Sequence, residues 1–232
     1  MKQRRPLFAL VSAPLFLASC ISVAPVHSTY EKASTLGKGG VELAGHYTHY
    51  SAGSEGTSQG VNNNIGFRAG LGLTNNVDLK VRYEKLIPVE KPQNGTFNAN
   101  YFSVIPKFGI NLGKLAVFVP LSLYHFSASE NGGMSTSSNS YSVAPHIIGT
   151  FTAKSNQVDF SPSANLEYIV NSGEGSENDF LIGFNIGAGF SSDLRKWAIR
   201  PELGYLFKPG ESGHIWNFGV GLQVLLPAKN KK

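Results

Sequence analysis

Thirteen residues near the end of the chain, from His214 to Leu226, alternate strictly in character. His214, Trp216, Phe218, Val220, Leu222, Val224 and Leu226 fall on one face of an extended ribbon; Ile215, Asn217, Gly219, Gly221, Gln223 and Leu225 fall on the other. Strand side chains flip with period two, so one face is broad and apolar and the other mostly small and polar. A tilted strand of about 9–11 residues crosses a bilayer, and this ribbon is long enough. The same pattern recurs upstream and predicts nine further strands: about Val41–Tyr50, Asn64–Leu73, Val77–Lys85, Tyr101–Ile110, Leu115–Phe126, Tyr141–Thr152, Val158–Val170, Phe180–Ser191 and Trp197–Phe207.

The connections alternate in length. Short ones at Thr74–Asn76, Asn111–Lys114, Lys154–Gln157 and Ser192–Lys196 alternate with Ser51–Asn63, Leu86–Asn100, Ser127–Ser140, Asn171–Asp179 and the shorter Lys208–Gly213. Short turns at one end and longer Gly-, Ser- and Asn-rich loops at the other form the asymmetry of an outer-membrane barrel. An even strand count places both ends of the barrel on the short-turn side. Pro106, Pro120, Pro145, Pro162 and Pro201 fall inside predicted strands, where each lacks a ladder donor, so irregular pairing is expected there.

Alternation alone does not say which face meets hydrocarbon. Charge and bulk do. Glu42, Arg68, Asp78, Lys80, Arg82, Glu84, Lys107, Asp159, Glu167, Arg200 and Glu202 all fall on the polar face, while Lys85 is the one charge on the apolar face, at a strand end. Glycine also crowds the polar face (Gly66, Gly70, Gly183, Gly187, Gly204, Gly219 and Gly221 among others), as suits a tight interior. The apolar face carries rings such as Tyr47, Phe67, Tyr83, Phe102, Phe151, Tyr168, Phe184, Trp197, Tyr205 and Trp216, too many for a ten-stranded interior and several near strand ends, where aromatic girdles belong. The expected fold is all-β, a ten-stranded antiparallel up-and-down transmembrane β-barrel with five basic and six acidic residues in its lumen. Those charges should pair across neighbouring strands, since a lone charge in a narrow interior is costly. Ten strands make a lumen much tighter than the 16–18 of porins, so a sealed structural wall is expected first and a narrow polar passage for small solutes second.

At the N-terminus, Lys2, Arg4 and Arg5 precede a short apolar run from Leu7 to Leu17, interrupted by Pro14 and too short to span a membrane. It ends in Leu17-Ala18-Ser19-Cys20, which resembles the lipobox of bacterial lipoproteins, where the cysteine is acylated and becomes the new N-terminus. Cys20 is the sole cysteine, which excludes a disulfide framework. Two or three acyl chains would give a durable anchor. Ile21 follows, whereas the resemblance associates Asp at that place with inner-membrane retention; this points to the outer membrane. Residues 1–19 are then a signal peptide, 20–38 a lipidated tether on the periplasmic side, 39–226 the barrel and 227–232 a basic periplasmic tail. Loss of the signal leaves 17 basic against 15 acidic residues, +2, so the basic precursor gives no case for nucleic-acid binding. Charged residues make up 15% of the chain, against about 25% in soluble domains, too few to coat a water-facing sphere.

With the lipobox, Gly39–Leu43 and Gly66–Gly72, the chain resembles the small outer-membrane β-barrel proteins of Gram-negative bacteria, and among them the lipid-anchored barrels common in Bacteroidetes. The resemblance implies outer-membrane lipids, the barrel assembly machinery and the lipoprotein sorting machinery as partners. It departs near the C-terminus, where the last strand stops at Leu226-Pro227, followed by Ala228 to Lys232, rather than ending on an aromatic residue. A lipid-anchored, lipocalin-like carrier of an apolar ligand is the alternative, since it too would alternate. A barrel hydrolase is remoter: His146 faces inward, near Ser163 or Asn165 across the turn, and a Ser–His pair can support acyl transfer. His46, His49, His125 and His214 lack metal spacing, no nucleotide-binding glycine loop joins a strand to a helix, and no cofactor is expected. The loops Ser51–Gln59 and Ser127–Asn139 could meet a surface partner but name none.

Overall fold

The computed structural model describes residues 23–227 except 55, 91–94, 112, 130–134 and 173–177; Cys20, the signal peptide and the tail beyond Pro227 lie outside the described residues. The strands are β1 (Val41–Ser54), β2 (Thr57–Gly72), β3 (Val77–Pro88), β4 (Thr96–Gly109), β5 (Leu115–Phe118 with Leu121–Ser129), β6 (Ser135–Val143, His146–Gly149 and Phe151–Thr152), β7 (Val158–Ser172), β8 (Asp179–Phe190), β9 (Trp197–Phe207) and β10 (His214–Leu226). Each pairs antiparallel with its sequence neighbours, and β10 returns to β1 from Val41↔Leu226 to Gly53↔His214. The sheet is a closed ten-stranded up-and-down barrel.

The prolines sit where the ladder lapses. Pro120 and Pro145 interrupt β5 and β6, and their carbonyls still accept from Ala144 N (3.1 Å) and Leu166 N (3.2 Å). Pro106 lies between the two stretches of β4 that pair with the halves of β5. Pro162 falls in the gap between Phe160↔Phe151 and Ser163↔Ile148, and Pro201 in the gap between Gly187↔Glu202 and Phe190↔Ile199. A residue without an N–H loses nothing where no partner carbonyl waits for it.

The outer surface is apolar: Phe151 is 68% exposed and Phe218 62%, while Arg82 and Arg200 are buried inside. This orientation overturns the lipocalin-like alternative, which needs the rings in the interior. Tyr47 and Tyr83 at the loop end of the band donate their hydroxyls to Asn63 (2.8 Å) and Asn100 (2.9 Å), and Lys85 reaches Asn98 (3.0 Å). Rings that are apolar below and hydrogen-bonded above mark a boundary between hydrocarbon and headgroups. Leu222→Arg, on the exposed face between Ile199 and Gly45, is expected to destabilise the folded barrel by about 2–4 kcal/mol in lipid vesicles, read from urea unfolding.

The stretches expected to be long loops are largely strand. β1 runs on to Ser54 and β2 begins at Thr57, so the connection expected over Ser51–Asn63 is two residues long. Likewise β5 and β6 continue to Ser129 and from Ser135. These extensions carry Ser, Thr, Gly and Asn without an apolar face because they stand beyond the hydrocarbon, and hairpin register propagates from the strands below. The end-to-end asymmetry survives as overhang: β1 begins on outward apolar residues, Val41 and Leu43, at the turn end, but continues seven residues past Tyr47 at the loop end.

Candidate functional site

The lumen is occupied by the chain itself. Val23 to Leu36, expected to be a tether in water, runs down the barrel axis before turning at Gly37–Gly40 into β1. His27, Ser28, Thr29, Tyr30, Glu31 and Ala33 are all at most 4% exposed. At the loop end Ala24 N donates to Asn62 Oδ1 (2.8 Å) and Val26 packs with Leu86, Ala99, Tyr101 and Tyr124. At the turn end Leu36 N donates to the Asp78 carboxylate (3.0 and 3.2 Å) and Thr35 Oγ1 to Asn75 O (2.7 Å). Val23 therefore lies at the loop end of the barrel, and the stretch expected to be a tether is buried from Val26 to Glu31. An extended backbone inside a barrel has no ladder of its own, so the wall must supply its hydrogen bonds.

The wall charges do this. Glu31 sits among Lys80 (2.7 Å), Lys107 (3.1 Å) and Arg68 (3.3 Å). Arg68 also donates to Thr29 O (2.5 Å) and Tyr30 O (3.1 Å), and Lys107 to Lys32 O (2.6 Å) and Ser34 O (3.0 Å). Glu202 accepts from Thr29 N (2.6 Å), Thr29 Oγ1 (2.6 Å) and Tyr30 N (2.8 Å). Arg82 donates to Ser28 O (2.5 Å) and pairs with Glu84, which also meets His46 (2.8 Å) and Asn64 (2.6 Å). Wall-to-wall pairs complete the set: Glu42 with Arg68 (2.6 Å) and Lys80 (2.8 Å), and Asp159 with Arg200 (2.7 Å). The pairing expected across neighbouring strands is thus only part of the arrangement: Lys107 and Glu202 turn to the threaded segment instead. Among the described residues Glu167 meets no cation; Tyr124 OH donates to it at 3.3 Å.

Glycine explains how partners two strands apart meet. Glu42, Gly70 and Lys80 are successive register partners, as are His46, Gly66 and Glu84, and Asn185, Gly204 and Asn217. In each trio the outer side chains close over a middle strand that has no Cβ to separate them; a Cβ at Gly66 would come within 2.6 Å of Glu84 Cγ and of the Tyr83 carbonyl oxygen. Gly219 does the same for the segment, since a Cβ there would run into the Tyr30 hydroxyl. Tyr30 has φ +51°, a left-handed conformation uncommon away from glycine. It is fixed by Glu202, by stacking on His46 (5.3 Å) and by its hydroxyl against Thr48 Oγ1 (2.7 Å). A Cβ at Gly219 also meets the Tyr47 carbonyl oxygen and Thr48 Cα of β1, so Gly219→Ala is expected to displace the Tyr30 ring and loosen the β1–β10 ladder, speeding amide exchange across Thr29–Glu31 and Tyr47–His49, with exchange in Val158–Ile169 unchanged.

The arc of the lumen over β5 and β6 has no Asp, Glu, Lys or Arg among its buried residues. On β4–β6, Ile105, Ala116, Phe118 and Ile148 pack on Ala33. His146 stacks on Phe118 (4.4 Å) and its register partner is Asn165; Ser163 Oγ has no partner among the described residues, so the suggested Ser–His pair is not formed. A cavity of about 10 Å³ between Arg82, Tyr101, Phe118 and the segment is close to what one water needs. The Ser191–Lys196 turn, with Leu194 buried, takes the Lys32 ammonium on Leu194 O (3.2 Å) at the turn-end mouth.

No family model and no curated protein matches the chain. Solved structures do. The translocator domain of the autotransporter NalP from Neisseria meningitidis is 10% identical, covering 81% of this chain and 88% of that one, with a TM-score of 0.53. Neisserial surface protein A is 13% identical over 81% and 99%, TM-score 0.42, and OprG from Pseudomonas aeruginosa 7% over 85% and 100%, TM-score 0.37. The chain has the fold of the small outer-membrane β-barrels.

Proposed function

We propose that the protein is a sealed, lipid-anchored barrel of the outer membrane whose role is structural, and that small solutes pass only if the threaded segment leaves. The observation that carries this is Glu31, a carboxylate of the segment held within 3.3 Å of three wall cations. Membrane residence rests on the exposed apolar band, and the anchor on the sequence ending at Cys20, acylated and handled by the lipoprotein sorting machinery while the barrel assembly machinery inserts the strands. Planar-bilayer recordings test the seal: the full chain should show no discrete current steps, and reproducible steps of fixed size would overturn it. Cys20→Ala should still require detergent for extraction; release into buffer would overturn the membrane-spanning reading. Among the described residues of the lumen, His146 is buried against Phe118 and forms no Ser–His pair.

A further inference from the structure

We infer that this barrel carries its own N-terminal chain out through its lumen, so that Cys20 stands at the loop-end mouth, on the outer face of the membrane. The inference about acyl chains rests on the anchor proposed above; the course of the chain does not.

The described segment makes a single pass. Leu36 is held at the turn end by Asp78, and Ala24 at the loop end by Asn62, with Glu31 and Glu202 clasping the stretch between. Asn62 lies beyond Ile65, the last exposed apolar residue of β2 on that side. Chain spans at most about 3.6 Å per residue, so Cys20 lies within roughly 11 Å of Val23 whatever path joins them. The turn end of β2, at Gly72, is ten residues from Asn62. At about 3.4 Å of rise per residue and a tilt near 45°, that is roughly 25 Å of membrane depth. Three residues do not reach back across it. A filled lumen and acyl chains in the inner leaflet therefore exclude each other, and an acylated Cys20 on the folded barrel places its chains in the outer leaflet.

The test inserts a short epitope between Ser22 and Val23 of the full chain, in the wild-type background and with Cys20→Ala, and follows antibody binding to intact cells beside incorporation of an alkyne-tagged palmitate. Expected is antibody binding without permeabilisation, comparable to an epitope placed at Gly210, and palmitate label that Cys20→Ala abolishes. An epitope reached only after the outer membrane is opened overturns the inference. Label absent from the wild type, with the epitope still on the surface, removes the anchor and leaves the threaded course supported. Since an insertion can itself block threading, the pair Ala24→Cys and Asn62→Cys is made in the Cys20→Ala background without the epitope. An intramolecular disulfide in the heat-modifiable, folded protein supports the course shown; free thiols in that folded protein overturn it.

Discussion

Deletion of Val23–Leu36 is expected to turn a silent barrel into a conducting one: bilayer recordings of the shortened protein should show discrete steps where the full chain should show none. The segment fills the axis of the lumen, and its removal leaves five wall cations (Arg68, Lys80, Arg82, Lys107 and Arg200) facing six carboxylates (Glu42, Asp78, Glu84, Asp159, Glu167 and Glu202). Glu202 loses the three donors that satisfy it, and Arg68, Arg82 and Lys107 lose backbone carbonyls. Groups of this kind bind water rather than stand dry, so the vacated axis hydrates along β1–β4 and β7–β10, where the charges stand, and least around Ala116, Phe118 and Ile148 of β5 and β6. A ten-stranded wall limits the steps to well below those of a 16-stranded porin. Heat-modifiable migration establishes that the shortened barrel has folded. Silence from that folded protein would mean the wall closes the lumen unaided and would overturn the seal assigned to the segment.

Most of the wall was legible in the sequence because hydrocarbon imposes period two on any strand that crosses it. His214–Leu226 shows this in full, and its bounds in the structure are those the alternation gives. Thr57–Asn63 shows none of it, since those residues pair as strand above the membrane, where neither face is selected for apolarity. The inward charges were legible for the same reason; their partners were not. Asp78 and Lys107 are register neighbours that would satisfy each other on paper, yet Asp78 accepts from Leu36 N and Lys107 turns to Glu31. Glu31 lies in a stretch without periodicity because a single chain inside a barrel touches wall on every side and shows no repeating face. A weak signal was present: Val26, His27, Tyr30 and Glu31 are poor residues for a tether in water, and glycines placed between polar partners mark where side chains close across a middle strand.

Glu31→Ala is expected to destabilise the barrel by about 3–5 kcal/mol, the usual consequence of removing one partner from a buried ionic cluster. Arg68 and Lys80 retain Glu42 at 2.6 and 2.8 Å, so most of the loss falls on Lys107, whose remaining partners are the Lys32 and Ser34 carbonyls of the segment itself. Those carbonyls stay in place only while the segment does. Urea unfolding in vesicles, followed by gel mobility, reads the effect, with Glu211→Ala in the exposed Lys208–Gly213 connection as the control that moves stability by less than about 0.5 kcal/mol. Lys107→Met added to Glu31→Ala should recover part of the loss, because the second change removes the charge the first left uncompensated. The coupling in that double-mutant cycle isolates the pair from the rest of the network. If Glu31→Ala unfolds with the control, the segment does not lie against these cations in the membrane, and the sealed lumen falls with it.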